Sequence, residues 1–380
     1  MIYFDNAATT GQKPAQVTDA VNKALREYSA NPGRGGYEAS VKCSEMIYDT
    51  RKKISDFFGA GAPERVIFTA NCTTALNIVI KGICRPGDNI VASSLEHNAV
   101  ARPLYKLQKE GADVDYAEVI FGDREATVRS FERLIRRDTR LVICTHASNV
   151  TGEILPIKEI GEICAERGVP FAVDAAQTAG VLDIDVKKMK IDYLCIAPHK
   201  GLYAPMGTGV LVSLGNIPET LTEGGTGSMS ISYEQPPDYP ERFESGTVNV
   251  IGIAGISGGI DFVKSKGRER IYRHELEIMT YIYDRLNGIS GVVLYTPRPI
   301  EGRFVPTLSF NIRGRDSSVT ASMLAEQSIA VRAGLHCAPM AHRRIGTVDS
   351  GTVRISCSAF NTRAHADRLI ESIKLITKKL

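Results

Sequence analysis

The fold is indicated first by two stretches of sequence, Phe171-Ala-Val-Asp174-Ala-Ala-Gln177 and Tyr193-Leu-Cys-Ile196-Ala-Pro-His199-Lys200-Gly201. Each stretch begins with an apolar run that does not alternate with polar residues, which is typical of a strand covered on both faces of a parallel sheet. Polar residues follow each run at its carboxyl end. Ligands bind outside the carboxyl ends of the strands in open α/β sheets. We therefore expect one crevice to be lined by Asp174, Gln177, His199 and Lys200.

A lysine in such a crevice needs either a charge partner or a chemical role. A partly desolvated ammonium group is costly, so its pKa falls, and this suits an amine that attacks a carbonyl as the free base. Pyridoxal 5'-phosphate (PLP) would supply the carbonyl for Lys200, and it also requires a carboxylate against its pyridine nitrogen, which Asp174 offers. The same residues also fit a structural explanation, in which Asp174 caps a helix and Lys200 is a surface lysine beyond a strand.

The composition limits the number of domains and the kinds of partner that the protein is expected to have. A chain of 380 residues exceeds one ordinary hydrophobic core, so we expect two domains. The 43% of hydrophobic residues predict complete folding, and the 46 basic and 43 acidic side chains nearly balance. This balance does not favour nucleic acid or an anionic membrane as a partner, and a small molecule is the expected one. The eight cysteines form no C-x-x-C pair, and we expect reduced core thiols and no metal site.

The sequence predicts a cytoplasmic protein. The N-terminus, Met1-Ile-Tyr-Phe-Asp5, reaches a charge before the apolar part of a signal peptide could form. The uncharged run from Ser245 to Ile260 is too short and too rich in glycine for a transmembrane helix.

Apolar runs and helical patterns alternate from Val66 onward, which predicts an α/β fold with a large, doubly wound and mostly parallel sheet. We place this PLP-binding domain at residues 15–260. Three later apolar runs, Val292–Tyr295, Thr307–Asn311 and Val353–Ser356, predict a small antiparallel sheet. A terminal helix is expected to close it with four apolar residues on one face: Leu369, Ile373, Ile376 and Leu380. Residues 1–14 and 261–380 would form this smaller α+β domain.

A polar turn, Thr69-Ala-Asn71-Cys72-Thr73-Thr74, opens the helix after the first strand of the large domain. A helix N-terminus offers free N–H groups and a positive dipole to a phosphate group, and threonine hydroxyls add donors. Threonine and asparagine also favour helix N-caps for purely structural reasons, so both explanations fit this turn.

The order D-x-A-Q-x-x-G, which begins at Asp174, followed by His199-Lys200, resembles the aminotransferase class V family. The most similar branch comprises the cysteine desulfurases and selenocysteine lyases. Six or seven motifs of this family occur in family order over essentially the whole chain. The resemblance implies a fold-type I PLP enzyme, in agreement with the α/β pattern, and a homodimer with shared active sites.

The resemblance also implies roles at the cofactor. Lys200 would form the Schiff base, Asp174 would contact the pyridine nitrogen, and His97, in the family's S-x-E-H motif, would stack on the ring. Six further residues are expected at the cofactor or its phosphate: Cys72, Thr73, Asn149, Gln177, His199 and, from the neighbouring subunit, Thr247. The chain departs from the pattern at two positions, because relatives have S-G-H-K where this chain has Ala197-Pro198-His199-Lys200. The phosphate would lose a serine hydroxyl, which could lower cofactor affinity.

One cysteine lies in a polar context, the segment Val331-Arg332-Ala-Gly334-Leu-His336-Cys337-Ala-Pro339. This segment reads as a basic loop, and positive neighbours stabilise a reactive thiolate. The basic residues nearby in sequence are Arg332, His336, His342, Arg343 and Arg344. The segment resembles the R-x-G-x-H-C-A of desulfurases, whose cysteine attacks the substrate sulfur.

Three arginines are candidates for the substrate carboxylate, because a planar guanidinium group binds a carboxylate in bidentate fashion. Arg332 and Arg354 match family positions, and the resemblance adds Asn149. Arg34 lies between glycines in Asn31-Pro-Gly-Arg34-Gly-Gly, where a plain turn is an equally good explanation.

The expected function is a PLP-dependent cysteine desulfurase that converts L-cysteine to L-alanine with a persulfide on Cys337. Its catalytic residues would be Lys200, Cys337 and His97, and the sulfur would pass to a thiol acceptor that the sequence does not identify. A selenocysteine lyase would share nearly every residue and act on L-selenocysteine. Another C–S β-lyase or an aminotransferase would share the cofactor site without needing Cys337. A non-catalytic PLP-binding scaffold is disfavoured by the intact Lys200 and Asp174.

Overall fold

The computed structural model describes residues 1–33, 35–216 and 219–378, which contain a large and a small β-sheet and a two-stranded pairing. The large sheet comprises β2 (Val66–Thr69), β3 (Asn89–Ser93), β4 (Asp113–Ala117), β5 (Thr139–Thr145), β6 (Phe171–Asp174), β7 (Tyr193–Ile196) and β8 (Gly209–Ser213). The small sheet comprises β9 (Val292–Leu294), β10 (Thr307–Ile312), β12 (Arg332–Gly334) and β13 (Thr352–Ser356). The two-stranded pairing joins β1 (Ile2–Tyr3) and β11 (Ile329–Ala330).

The described helices lie between and after these strands. The first six are α1 (Ala15–Glu27), α2 (Glu38–Phe57), α3 (Cys72–Ile83), α4 (Asn98–Lys109), α5 (Arg124–Leu134) and α6 (Ile157–Arg167). The remaining ones are α7 (Val250–Lys266), α8 (Arg268–Asn287), α9 (Ser317–Glu326), α10 (Pro339–Ile345) and α11 (Arg363–Thr377). Short 3₁₀ turns occur at Pro63–Arg65 and Glu241–Phe243.

The large sheet has the strand order β2-β8-β7-β6-β5-β3-β4. The five strands from β7 to β4 are parallel, whereas β8 runs antiparallel to both of its neighbours. Parallel strands need crossover connections, and helices α4, α5 and α6 supply them from β3 to β6, whereas a segment of turns joins β6 to β7. The predicted α/β fold with a mostly parallel sheet is therefore confirmed.

Both faces of the large sheet are covered. Ile90 and Ala92 of β3 pack in a core with Leu76 of α3, while Val91 between them packs in a second core with Ile47 of α2. Every residue of β3, β6, β7 and β8 is buried. This two-sided burial is the physical reason for the uninterrupted apolar runs in the sequence.

The small sheet is antiparallel, with the order β12-β13-β10-β9. Its core contains Phe310 and Ile355 from the strands and Ile282 from α8. Three of the four residues predicted on the buried face of the terminal helix, namely Leu369, Ile373 and Ile376, are buried there, and the fourth, Leu380, lies outside the described residues.

The predicted division into domains remains a prediction. Helix α7 crosses the expected boundary after residue 260, and its Phe262 and Val263 still pack in the core of α1, α2 and the large sheet. Residues at the N-terminus join the other core, since Phe4 packs with the small sheet. No helix in the described ranges is both long and apolar enough to cross a bilayer.

Candidate active site

The carboxyl ends of β3, β5, β6 and β7 meet at one edge of the large sheet, because these strands are parallel. Asp174 ends β6, and Lys200 lies just beyond β7. His97 and Asn149 follow β3 and β5 at the same edge. The charge of Lys200 acts on both Asp174 and His97, which places these three predicted residues in one crevice.

Lys200 is a partly buried amine in this crevice. Burial lowers the pKa of its ammonium group, the Asp174 carboxylate opposes that change, and the guanidinium groups of Arg354 and Arg332 reinforce it. A lowered pKa increases the fraction of free amine, which is the form that attacks a carbonyl.

Asp174 is a buried carboxylate that is 4% exposed. Its Oδ1 accepts hydrogen bonds from the backbone N–H of Ala176 at 2.9 Å and from the thiol of Cys72 at 3.7 Å. Burial raises the pKa of Asp174, whereas the Ala176 N–H and Lys200 hold it down. Oδ2 has no donor in the described part of the chain and can accept a hydrogen bond from a protonated ring nitrogen.

Two neutral imidazoles border the crevice. His97 caps α4, with its Nδ1 accepting the N–H of Ala99 at 3.0 Å, and burial lowers its pKa to about 4. Burial also lowers the pKa of His199 to about 4. The His199 Nδ1 is buried and has no hydrogen-bond partner among the described residues. A buried polar atom without a partner is costly, and a phosphate oxygen would satisfy it.

The N-terminal segment fixes the backbone just before Lys200. The carbonyl oxygen of His199 accepts the hydroxyl of Thr9 at 3.1 Å, the hydroxyl of Thr10 at 3.0 Å and the amine of Lys13 at 3.4 Å. Burial lowers the pKa of Lys13 to about 8. Sequence reasoning missed Thr10 and Lys13, because nothing local to their sequence indicates this contact.

Three other predicted cofactor residues occupy different positions. Thr73 is exposed in the first turn of α3, where free N–H groups are available to an anion. Gln177 donates through Nε2 to the carbonyl of Ala7 at 3.1 Å and so contacts the N-terminal segment. Thr247 is exposed and borders a cleft with Tyr48 of α2, and none of the strand-end residues lines that cleft.

A buried arginine network lies beside the crevice. Arg354 is 1% exposed and donates to Oδ1 of Asp5 at 2.8 Å and to the carbonyl of Asn149 at 3.1 Å. Arg332 lies directly opposite Arg354 in the β12–β13 pairing. Two guanidinium groups beside one carboxylate leave positive charge for a second, ligand carboxylate. Sequence reasoning missed Asp5 as the partner of Arg354.

Cys337 is the one exposed cysteine of the eight. It lies in a turn closed by the N–H of Ala338, which donates to the carbonyl of Leu335 at 2.9 Å. The carbonyl of Cys337 accepts the N–H of Asn98 at 2.7 Å. This bond ties the backbone of the exposed Cys337 to the residue that follows His97.

The prediction of a basic loop around Cys337 is wrong for its histidines. The irregular part is short, since a turn at residues 335–338 joins β12 to α10. His336 and His342 are buried, and burial lowers the pKa of His336 to about 2 and also lowers that of His342. Neither imidazole carries a positive charge at neutral pH. Arg344 is already paired with Glu118 at 2.6 Å.

Glu96 is a further buried group that sequence reasoning missed, although the S-x-E-H motif contains it. Its Oε1 accepts the N–H of Thr145 at 2.8 Å, which joins the ends of β3 and β5. Burial raises the pKa of Glu96 to about 8.

Of the predicted substrate residues, Arg34 lies outside the described residues.

Comparisons with known proteins agree with this geometry. The family model described as aminotransferase class-V matches residues 2–369. The probable cysteine desulfurase of Methanothermobacter thermautotrophicus is 33% identical over 386 residues, covering 99% of this chain and 94% of that protein. The cysteine desulfurase of Haloferax volcanii is 31% identical, covering 98% of this chain and 88% of that protein.

A solved structure extends the likeness to the fold. The apo structure of cysteine desulfurase from Thermococcus onnurineus NA1 has a TM-score of 0.92 and 32% identity, covering 100% of this chain and 95% of that one. The fold-type I architecture expected from the sequence is thereby confirmed. The chain belongs to the aminotransferase class-V family.

Proposed function

We propose that this protein is a PLP-dependent cysteine desulfurase, which converts L-cysteine to L-alanine and retains the sulfur as a persulfide on Cys337. The observation that carries the proposal is an exposed cysteine whose backbone is bonded to the residue after His97, at a crevice that contains the partly buried amine of Lys200 and the buried carboxylate of Asp174. The Asn98 N–H bond to the Cys337 carbonyl, at 2.7 Å, holds the backbone of Cys337 there. The relatives named cysteine desulfurase support the same activity.

The residues of the crevice fit PLP. Lys200 would hold the cofactor covalently, and Oδ2 of Asp174 would accept a hydrogen bond from the ring nitrogen, with the Cys72 thiol orienting the carboxylate through Oδ1. The N-terminus of α3 with Thr73, together with the unpartnered Nδ1 of His199, would hold the phosphate. Ala197 adds no hydroxyl group to this set. When bound, PLP supplies an electron sink for charge that develops at the substrate Cα.

The remaining residues bind the substrate and move its proton and sulfur. Arg354, Arg332 and Asn149 would orient the substrate carboxylate, and the neutral ring of His97 would cover the cofactor. Lys200, released as a free amine, would accept the Cα proton. The Cys337 thiolate would attack the substrate sulfur, so that an S–S bond forms and the C–S bond breaks. The electron pair of that bond goes to Cβ, which takes up a proton, and Lys200 would return a proton to Cα, so that L-alanine forms.

We infer a homodimer with shared sites from the surface around Thr247. The cleft that Thr247 borders lies against α2, whose exposed Tyr48 lines it, and the segment before Thr247 exposes two further large apolar side chains, Ile231 and Tyr233. Exposed apolar groups of this size favour a protein contact.

We further propose two domains, at residues 15–260 and at residues 1–14 with 261–380, and a cytoplasmic location.

Replacement of Cys337 by alanine tests the proposed function. The Cys337→Ala protein should keep the absorbance of bound PLP and still bind L-cysteine, because the cofactor residues are untouched. Alanine production from L-cysteine should fall at least about 100-fold, because the nucleophile is absent. Cys84→Ala, which removes a buried thiol in the connection after α3, serves as the matched control and should retain activity.

Two measurements distinguish the alternatives. Mass spectrometry of the wild-type protein after exposure to L-cysteine should locate the persulfide on Cys337. Pyruvate in place of alanine would identify a β-lyase, and full alanine production by Cys337→Ala would rule out the persulfide mechanism. L-Selenocysteine is assayed in parallel, since selenium is a better leaving group and a selenocysteine lyase should lose far less activity in the variant.

A further inference from the structure

The segment that carries Lys200 is a closed loop. The N–H of Ala204 donates to the carbonyl oxygen of Pro198 at 3.0 Å, and the N–H of Tyr203 donates to the carbonyl oxygen of Lys200 at 2.9 Å. Tyr203 has a φ value of +56°, in the left-handed region that a residue with a large side chain rarely adopts. Such a conformation persists only where surrounding contacts hold it. We therefore expect the side chain of Tyr203 to be anchored.

The side chain of Tyr203 is held by groups outside the loop. It is 2% exposed, and its ring lies edge-on to the rings of Phe262 in α7 and of Phe360, with centroid distances of 4.9 and 5.8 Å. Its hydroxyl donates to Oε1 of Glu275 in α8 at 3.1 Å and accepts the N–H of Ala359 at 3.1 Å. The ring and the hydroxyl thus connect the loop of Lys200 to two helices and to the C-terminal part of the chain.

Leu202 and Pro205, on either side of Tyr203, lie against the backbone of α7. A Cβ atom at Gly259 would lie 1.8 Å from the carbonyl oxygen of Leu202, and one at Gly255 would lie 2.3 Å from Cδ of Pro205. Glycine is the residue that permits such a close approach. The loop is therefore supported along its backbone by α7, and the Tyr203 side chain continues this support to α8.

Glu275 is a buried acid that contributes to this anchor. It is 4% exposed, and burial raises its pKa to about 8. The groups that oppose this rise in pKa are the Tyr203 hydroxyl and the Ala359 N–H. A buried carboxyl group without hydrogen-bond partners is costly, so the Tyr203 hydroxyl stabilises Glu275 as well as being held by it. Both residues line the same cavity as Lys200.

We propose that Tyr203 and Glu275 are positioning residues, which fix the loop that presents Lys200 to the crevice. The inference rests on the proposed function, in which Lys200 accepts the substrate Cα proton. Proton transfer requires a close and aligned donor and acceptor, and a displacement of about 1 Å can lower a rate about 100-fold. Loss of the anchor should therefore slow proton transfer. The substrate carboxylate is bound by other residues, so the affinity for substrate should be retained.

Hydrogen exchange tests the loop directly. Tyr203→Phe removes the hydroxyl and keeps the ring, Glu275→Leu removes the acceptor, and Glu275→Gln keeps an oxygen atom that can accept the Tyr203 hydroxyl. Exchange of the peptide covering residues 197–204, measured by mass spectrometry, should be at least about tenfold faster in Tyr203→Phe and in Glu275→Leu. It should stay near the wild-type rate in Glu275→Gln. Because two variants at different positions remove the bond, the test remains valid if one of them does not fold.

A proton-transfer assay that does not involve Cys337 tests the consequence. The protein should exchange the Cα proton of L-alanine for deuterium in D₂O, since this step needs the Lys200 amine and bound PLP but no thiol. The rate constant at saturating L-alanine should fall at least about tenfold in Tyr203→Phe and Glu275→Leu and recover in Glu275→Gln. The half-saturating L-alanine concentration and the absorbance of bound PLP should stay as in the wild type. The assay still reports on the anchor if Cys337 proves not to accept sulfur.

Tyr272→Phe is the matched control. Tyr272 lies in the same helix as Glu275, and its buried hydroxyl likewise donates one hydrogen bond, to the Phe304 carbonyl at 2.8 Å, and accepts one, from the Gly302 N–H at 2.9 Å. This variant should leave exchange at residues 197–204 and the proton-transfer rate unchanged.

Three results would overturn the proposal. The first is wild-type exchange at residues 197–204 in both Tyr203→Phe and Glu275→Leu. The second is faster exchange there with an unchanged proton-transfer rate. The third is an equal acceleration of exchange across residues 250–287, which comprise α7 and α8, because that result indicates a general packing role.

Discussion

At the scale of single residues, Glu275 is an acid buried close to the active-site lysine. It is 4% exposed, and its Oε1 accepts the hydroxyl of Tyr203 at 3.1 Å. A cavity of about 40 Å³ is lined by Glu275, Tyr203 and Lys200. Burial raises the pKa of Glu275 to about 8, so the group is mainly protonated at neutral pH. Tyr203 also accepts the N–H of Ala359 at 3.1 Å, which links the segment after Lys200 to the C-terminal part of the chain.

This raised pKa predicts a pH-dependent contribution to stability. Between the ordinary value of 4.5 and about 8, only the folded state keeps the proton on Glu275. The contribution is complete below pH 4.5 and is lost as the pH rises through about 8. The side chain of Glu275→Gln cannot lose a proton. As the pH rises through this range, the free energy of unfolding of the variant should therefore increase relative to that of the wild type by up to about 1.4 kcal/mol per pH unit.

Urea unfolding across this pH range checks the prediction. Other buried carboxyl groups, such as Glu96, are common to both proteins and cancel in the difference. Glu277→Gln, which changes an exposed carboxyl group in the same helix, is the control and should follow the wild type. Parallel stability curves for Glu275→Gln and the wild type would contradict the assigned protonation.

At the scale of secondary-structure elements, one buried ion pair joins α2, β2 and the segment that carries Thr247. Arg51 of α2 donates through Nη1 to Oε1 of Glu244 at 2.7 Å, and the side chains are 8% and 7% exposed. The same carboxylate accepts the N–H of Phe68 in β2 at 2.6 Å. Glu244 thus fixes the position of the segment that leads to Thr247.

Loss of the carboxylate should leave a buried guanidinium group without a counter-charge. We expect Glu244→Gln to lower the free energy of unfolding by about 3 kcal/mol, in the range seen for broken buried ion pairs. Asp261→Asn is the matched control, because Asp261 pairs with Lys53, which lies in α2 like Arg51, and this ion pair is more exposed. Its loss should lower the free energy of unfolding by at most about 1 kcal/mol. Guanidinium chloride unfolding measures both values, and similar costs would show that burial of the pair does not matter.

At the scale of the whole molecule, the position of Thr247 predicts that two chains build each active site. The test mixes Lys200→Ala and Thr247→Ala proteins under conditions that allow subunit exchange. If Thr247 serves the neighbouring subunit, each mixed dimer has one site with both lesions and one intact site. Statistical mixing should then restore about a quarter of the wild-type activity.

A second mixture controls for this result. Lys200→Ala mixed with Asp174→Ala should restore nothing beyond the parents, since both residues belong to the crevice of one chain. Activity of the Thr247 mixture no greater than that of its parents would place Thr247 in the site of its own subunit.

The sequence by itself determined the large sheet and the residues at its edge. Burial on both faces of a parallel sheet requires uninterrupted apolar runs, and such runs are visible along the chain at β3, β6 and β7. The polar residues that follow those strands, including Asp174 and Lys200, could be assigned to one crevice because parallel strands end at the same edge. The exposed thiol of Cys337 was also indicated locally, by its polar neighbours.

Only the tertiary structure decided which distant groups meet and which charges survive. The contacts of Asp5 with Arg354 and of Lys13 with the His199 carbonyl join segments far apart in sequence, and no local pattern encodes such pairing. Likewise, His336 reads as a basic neighbour of Cys337 in the sequence, but its burial removes the positive charge. The physical reason is that periodicity records how strongly each residue is buried, whereas the partner and the protonation state depend on what the rest of the chain places against it.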